Sequence, residues 1–155
     1  MSNRHDRSEI NSLVKDGDHR VLSIWAAECA ERVLPIFEAM SDNKSPRAAI
    51  AALREFVATG CFSMKIIRKV SLAAHAAARS VPEGPARFAA RAAGQAVATA
   101  HVPRHSRAAA FYAVKAILEE DGKAAAEREE EWQHCRLIEL TNECDNDEKI
   151  RLFRR

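Results

Sequence analysis

Hydrophobic residues recur along this chain at spacings of three and four, the period of a helix with one buried face. The pattern is clear in residues 18–40, where Asp18 is placed to cap the first turn. It predicts a helix there, which Pro35 should kink or end. A second run predicts a helix that starts at Ser45 and stops at Gly60. The hydrophobic positions of the first helix are Val21, Leu22, Trp25, Cys29, Val33, Ile36 and Phe37.

Prolines and glycines divide the rest of the chain into four further helical segments. These cover residues 61–79, 85–101, 103–120 and 123–140. On the apolar side of the third helix we expect Met64, Ile67, Val70, Leu72 and Ala74. Residues 1–16 and 141–155 show no such pattern, and we expect them to be flexible. The sequence thus predicts an all-α single domain of about six antiparallel helices, a bundle or a short stack of helix pairs, with its ordered core over about residues 18–140.

Composition adds detail to this fold. A chain of 155 residues can bury one core without disulfides. Alanine is the commonest residue in positions 72–115 and only 6% of the chain is aromatic, so we expect closely packed helices. The four cysteines form no C-x-x-C pair and are expected to be reduced thiols. The N-terminus lacks an apolar signal segment, and arginines interrupt the apolar-looking residues 86–102. We therefore expect a soluble, cytoplasmic protein with no membrane partner.

Charge is unevenly distributed although the net charge is only +2. Residues 61–115 carry nine Lys and Arg residues against one acid, whereas residues 119–149 carry twelve acids against four bases. One interpretation is that the acidic helix lies across the basic middle and neutralises it. The other is that the basic middle attracts an anionic partner. Nucleic acid is not the expected partner, because this region has few aromatic residues for stacking and no helix-turn-helix pattern.

Polar side chains among the alanines form two rows. They are Arg68, His75 and Arg79 on the third helix, and Arg91, Gln95 and Thr99 on the fourth, followed by His101 and His105. The last two histidines have a spacing that can hold a metal, but Pro103 separates them and no acidic ligand accompanies them, so we predict no metal site. A phosphate loop and a nucleophile elbow are both missing, so we predict no catalytic residue. The rows form either an exposed binding face or buried groups that hydrogen-bond between helices.

Several segments resemble a known family in their order and spacing. They are His19-Arg20, IWAAECAERVLPIFE (residues 24–38), PRAAI (46–50), AHAAAR (74–79), ARAAGQAVATAHV (90–102), His105, YAVKA (112–116) and Trp132-Gln133. Together they resemble the Imm-5-like putative immunity proteins, an all-helical bacterial family assigned to polymorphic-toxin systems. The resemblance extends over about residues 18–133.

The resemblance implies a protein that binds and neutralises a cognate toxin by protein–protein interaction, without catalysis or a cofactor. On this hypothesis Arg68, Arg79 and Arg91 are charge anchors for an acidic partner, and His75, Gln95, Thr99, His101 and His105 belong to the same face. The alternative is a small-molecule or anion-binding helical domain, or a hydrolase, with a polar pocket around His75 and His101. A second copy of the chain is a further partner that an alanine-rich helix face can accept.

Overall fold

A computed structural model describes the backbone of residues 4–153 and the side chains of residues 7–149, 151 and 152. Within residues 4–153 the chain forms seven α-helices and no strand, which confirms the all-α class and adds one helix to the predicted number. The helices are α1 (Arg4–Asp16), α2 (His19–Glu38), α3 (Ser45–Thr59), α4 (Met64–Arg79), α5 (Pro85–Ala98), α6 (His105–Asp121) and α7 (Lys123–Phe153).

The two segments expected to be flexible are helical wherever the structure describes them. In α1, Ile10 and Val14 are buried and Leu13 packs against the core, so that three apolar residues at helical spacing attach this segment to α6 and α7. The last helix continues beyond Leu140, which is itself buried, and Cys144 still packs against the core. The sequence pattern does not predict these helical segments, whereas the flexibility of the two ends stays a prediction. Residues 1–3 and 154–155 lie outside the described part.

Helix α5 is the centre of the fold and contacts α2, α3, α4 and α6. Its buried positions are almost all alanine or glycine, which allows neighbouring backbones to approach closely. From α4 to α7 each helix packs against the next, while α2 and α3 pack behind them. As a result α4 and α7 lie at opposite edges of the row of helices.

The helix ends follow the local sequence closely. The Asp18 side chain accepts a hydrogen bond from the Val21 amide at 3.0 Å, as predicted. Gly60 ends α3 with a φ of +69°, a conformation that favours glycine. Helix α4 starts later than predicted because the Ser63 side chain caps it by accepting from the Ile66 amide. Helix α2 does not end at Pro35 and continues to Glu38.

The acidic helix α7 is attached to α2 and α6. The Arg32 guanidinium donates to both carboxylate oxygens of Glu129, at 2.6 and 2.9 Å, and Arg136 pairs in the same way with Glu28. The Trp25 indole donates to the Gln133 carbonyl at 2.9 Å. Because these contacts direct α7 away from α4, the interpretation in which the acidic helix neutralises the whole basic middle was wrong for α4.

The four cysteines are all free. Cys29 is fully buried in α2, and this burial, together with the nearby carboxylates of Glu129 and Glu28, raises the pKa of its thiol well above the ordinary value. Cys61 and Cys135 are exposed. In the part of the chain that the structure describes, no helix is both long and apolar enough to cross a bilayer.

Candidate interaction surface

The outer side of α4 is the most uniformly charged helix face described. We call it the α4 face and define it by the exposed side chains of Lys65, Arg68, Lys69, Leu72 and Arg79. At 100° per residue these five positions fall within one half of the helix circumference. Helix α4 packs against α3 and α5 with its other side, where Ile67, Ala74, Ala77 and Ala78 are buried.

The charges of the α4 face have no acidic partner among the described residues. Helix α4 contains no aspartate or glutamate, and none of the face's four bases takes part in a described ion pair. Other bases do find partners: Arg47 pairs with Glu38, and Arg54 with Glu31. The face therefore presents concentrated positive charge to solvent.

The same face carries exposed apolar side chains. Leu72 is 61% exposed and lies in the middle of the row of bases, and Met64 and Ile66 are also exposed on this helix. Placing Met64 and Leu72 on the apolar inner side was therefore wrong. Leu72 is five residues from Ile67 and two from Ala74, about 140° and 160° around the helix, so it has to point outward when those two point inward.

An aromatic cluster continues the surface at the N-terminal end of α4. The ring of Phe62, which is exposed, stacks on His101 with centroids 6.1 Å apart, and the Phe56 ring is edge-on to Phe62 with centroids 6.3 Å apart. His101, Met64 and Leu72 line a small cleft of about 180 Å³ together with Ile67, Arg68, Ser71 and Ala98. Apolar and basic groups are thus contiguous over the N-terminal half of the α4 face.

The contact between α4 and α5 contains a half-buried polar pair. The His75 Nδ1 lies 3.0 Å from Nη1 of Arg91, so that this nitrogen is the acceptor and the guanidinium the donor. Burial lowers the pKa of His75, and the charges of Arg91 and Arg79 lower it further, which keeps the imidazole neutral near pH 7. The Ser71 hydroxyl donates to the Gly94 carbonyl at 3.1 Å beside this pair.

Gly94 makes room for the His75 ring. A Cβ at residue 94 would lie 2.6 Å from His75 Nε2 and under 3.0 Å from two of its carbon atoms. The glycine is therefore required by the close approach of α4 and α5.

The effect of substituting Gly94 by Ala on the free energy of unfolding should change sign when His75 is removed. With His75 present, G94A is expected to destabilise the protein by about 1–2 kcal/mol, because overpacking outweighs the gain in helix propensity. In the H75A background the same change is expected to stabilise it by up to about 1 kcal/mol. Denaturant unfolding of the four proteins of the cycle measures both effects, and equal effects in the two backgrounds would mean that His75 does not occupy the space above Gly94.

The remaining predicted site residues, Gln95, Thr99 and His105, lie where α5 ends and α6 begins. His105 Nδ1 and Gln95 Oε1 are 3.0 Å apart, and burial followed by the charges of Arg104 and His101 lowers the pKa of His105. Thr99 is fully buried: its hydroxyl donates to the Gln95 carbonyl, and its own carbonyl lies 2.6 Å from His19 Nε2. Thr99 is therefore no part of an exposed face.

The structure divides the eight predicted residues into three groups. Arg68, Arg79 and His101 are exposed on or beside the α4 face, while His75, Arg91, Gln95 and His105 are half-buried in pairs, and Thr99 is inside the core. The set thus contains both exposed side chains and groups that hydrogen-bond between helices, and binding by the exposed ones stays a prediction. Sequence reasoning missed Lys65, Lys69 and Phe62 as surface contributors, although the helical spacing of Lys65, Lys69 and Leu72 was a signal that could have found the first two.

The small cleft does not bring His75 and His101 together. His101 lines it and His75 does not, and the volume of the cleft, about 180 Å³, is below the roughly 300–1,000 Å³ of small-molecule sites. No group of three or more His, Cys, Asp or Glu side chains suited to a metal occurs within the described residues.

The chain belongs to the family of Imm-5-like putative immunity proteins, whose pattern it matches over residues 12–140. This match confirms the family resemblance seen in the sequence. No curated protein and no solved structure matches the chain.

Proposed function

We propose that this protein neutralises a toxin by binding it through the α4 face, with no catalytic step. Membership of the immunity-protein family supports the general role. The observation that carries the choice of surface is the row of four bases around the exposed Leu72, on a helix without acidic residues.

The chemistry of the α4 face specifies the partner's surface. Four unpaired bases favour a partner with clustered Asp and Glu residues, because complementary charge steers the encounter and fixes its orientation. Leu72, Met64 and Phe62 supply the apolar contacts that usually form the centre of a protein interface. The partner we expect therefore has an acidic rim around an apolar depression.

Half-buried residues between α4 and α5 hold the α4 face in a fixed position. The pair of His75 and Arg91 and the bond from Ser71 to Gly94 fix α4 against α5, so the outer side chains of α4 project from a rigid base. Arg91 therefore has a positioning role in this proposal rather than a direct contact. A preordered surface loses less conformational entropy on binding, which favours affinity.

Capture from the source cells tests the proposal. Tagged wild-type protein is expected to retain a protein partner at low salt that is lost at high salt. A variant with Leu72 replaced by Glu should lose this partner, whereas the matched variant of exposed Leu152, on α7, should keep it. Retention of the partner by L72E would contradict binding through the α4 face, and a purified partner that binds but has no toxic effect would contradict the immunity role.

A further inference from the structure

A long groove lies on the opposite edge of the molecule from the α4 face. It has a volume of about 930 Å³ and runs between α6 and α7, with Arg7 and Ile10 of α1 at one end. Gly122 alone separates the two helices, and Gln133 Nε2 donates to the Ala110 carbonyl at 3.0 Å. The two helices therefore form a hairpin in which residues equally distant from Gly122 lie side by side.

The floor and the two rims of this groove differ in chemistry. Apolar side chains from α6 line it, and two of them are exposed: Phe111 by 52% and Leu118 by 44%. The α6 rim is basic at Lys115, whose ammonium group lies 4.7 Å from the centre of the Phe88 ring on the side of α5. The α7 rim carries Glu127, Glu130 and Glu131 with one base, Arg128. None of these rim residues takes part in a described ion pair.

We infer that this groove is the interface of a homodimer, in which the hairpin of α6 and α7 from one copy packs on the same hairpin of a second copy. A symmetric dimer needs a surface that is complementary to itself, and an apolar strip with a basic rim on one side and an acidic rim on the other meets that need. The product is a four-helix bundle, a common way to bury exposed helix faces.

The charges of the two rims favour one orientation of the two-fold axis over the other. An axis parallel to the helices places α6 of one copy opposite α7 of the other and keeps each residue at its own level along the groove. Lys115 then faces Glu127 and Glu131 of the second copy, and the reverse contact forms at the same time. An axis perpendicular to the helices would instead bring the two basic rims together, which costs energy.

The area of the groove surface indicates how strongly two copies are expected to associate. The α6 lining of the groove runs from Arg107 to Leu118, about 18 Å of helix, so two helices side by side at about 10 Å present roughly 360 Å² per copy. The total of about 700 Å² is below the usual range of stable specific interfaces, and we therefore expect a weak dimer that forms only at high protein concentration. The α4 face remains free on each copy, so this inference does not depend on the proposed function.

Sedimentation velocity of the full chain, over about a hundredfold range of protein concentration, tests the dimer. Wild-type protein is expected to shift from monomer to dimer. Leu118→Glu should remain monomeric at every concentration, and Leu72→Glu, the matched control on the α4 face, should dimerise like wild type. A wild-type chain that stays monomeric, or a dimer that L118E does not weaken, would overturn the inference.

Charge exchange tests the orientation. Lys115→Glu alone and the pair E127K/E131K alone should each raise the dimer dissociation constant by at least about tenfold, because like charges then face each other. All three changes in one chain should restore dimerisation, since both rims have exchanged sign. Failure of the triple variant to recover, in a protein that circular dichroism shows to be folded, would contradict this pairing.

The cysteines provide a test that needs no variant. Cys135 lines the groove, whereas Cys61 is exposed outside it. Alkylation of Cys135 should slow as protein concentration rises and the dimer forms, while alkylation of Cys61 should not change. Equal behaviour of the two thiols, measured by mass spectrometry of their peptides, would argue against the groove as the interface.

Discussion

Replacement of Arg68 and Lys69 by Glu is expected to reduce the rate constant for association with the toxin by about 10–100-fold at low salt. Both residues are exposed on the α4 face and have no described ion-pair partner, so the folded protein loses no described ion pair. The change converts two attractive charges into two repulsive ones at the place where encounter begins. The dissociation rate should change less, because the charges lie around Leu72 and remain partly solvated.

The matched control for this variant is K15E/K149E. Lys15 on α1 and Lys149 on α7 are also exposed and outside the described ion pairs, and the net charge changes by the same amount. Stopped-flow association measured over a range of salt concentrations should show a large, salt-sensitive loss for R68E/K69E and a small one for the control. Equal losses would mean that only net charge matters and that the α4 face has no special role.

Replacement of Arg32 by Ala is expected to lower the free energy of unfolding by about 2–3 kcal/mol. Arg32 donates two hydrogen bonds to Glu129, whose side chain is only 7% exposed, whereas Arg32 itself is 42% exposed. The substitution leaves a buried carboxylate with no partner. It also removes the guanidinium that lies 3.9 Å from the centre of the Trp132 ring.

A second substitution, at Glu129, distinguishes the loss of the ion pair from the loss of packing around Arg32. In R32A, replacing Glu129 by Leu should recover part of the lost stability, because the unpaired charge is removed as well. Urea unfolding of the wild type, R32A and the double variant measures this recovery. A double variant less stable than R32A would show that the Glu129 carboxylate has other stabilising contacts.

The sequence predicted the helical class and the central helices well, because apolar residues such as Leu22, Trp25 and Cys29 recur at spacings of three and four and are all fully buried. It did not predict helix α1 or the continuation of α7 beyond Leu140. Helix α1 is attached by few apolar residues, Ile10 and Val14 among them, within a polar segment, so the polar residues concealed the pattern. A helix as short as α1 is stabilised mainly by tertiary packing rather than by the helix propensity of its own residues.

The candidate surface was predictable only in part. Arg68 and Arg79 were correctly placed on one face of a helix, but their exposure depends on which elements pack beside α4, which the sequence does not state. Charge balance left open whether the acidic C-terminal helix covers the basic region, and in the structure Glu129 and Arg136 pair with α2. The partners of individual long side chains depend on tertiary geometry and cannot be read from net charge.

Growth of cells that produce the captured toxin is the most direct test that the α4 face confers immunity. Wild-type protein and K15E/K149E, produced together with the toxin, are expected to restore growth, whereas R68E/K69E, at the same cellular level, is expected to restore it poorly or not at all. Full protection by R68E/K69E would contradict neutralisation through the α4 face.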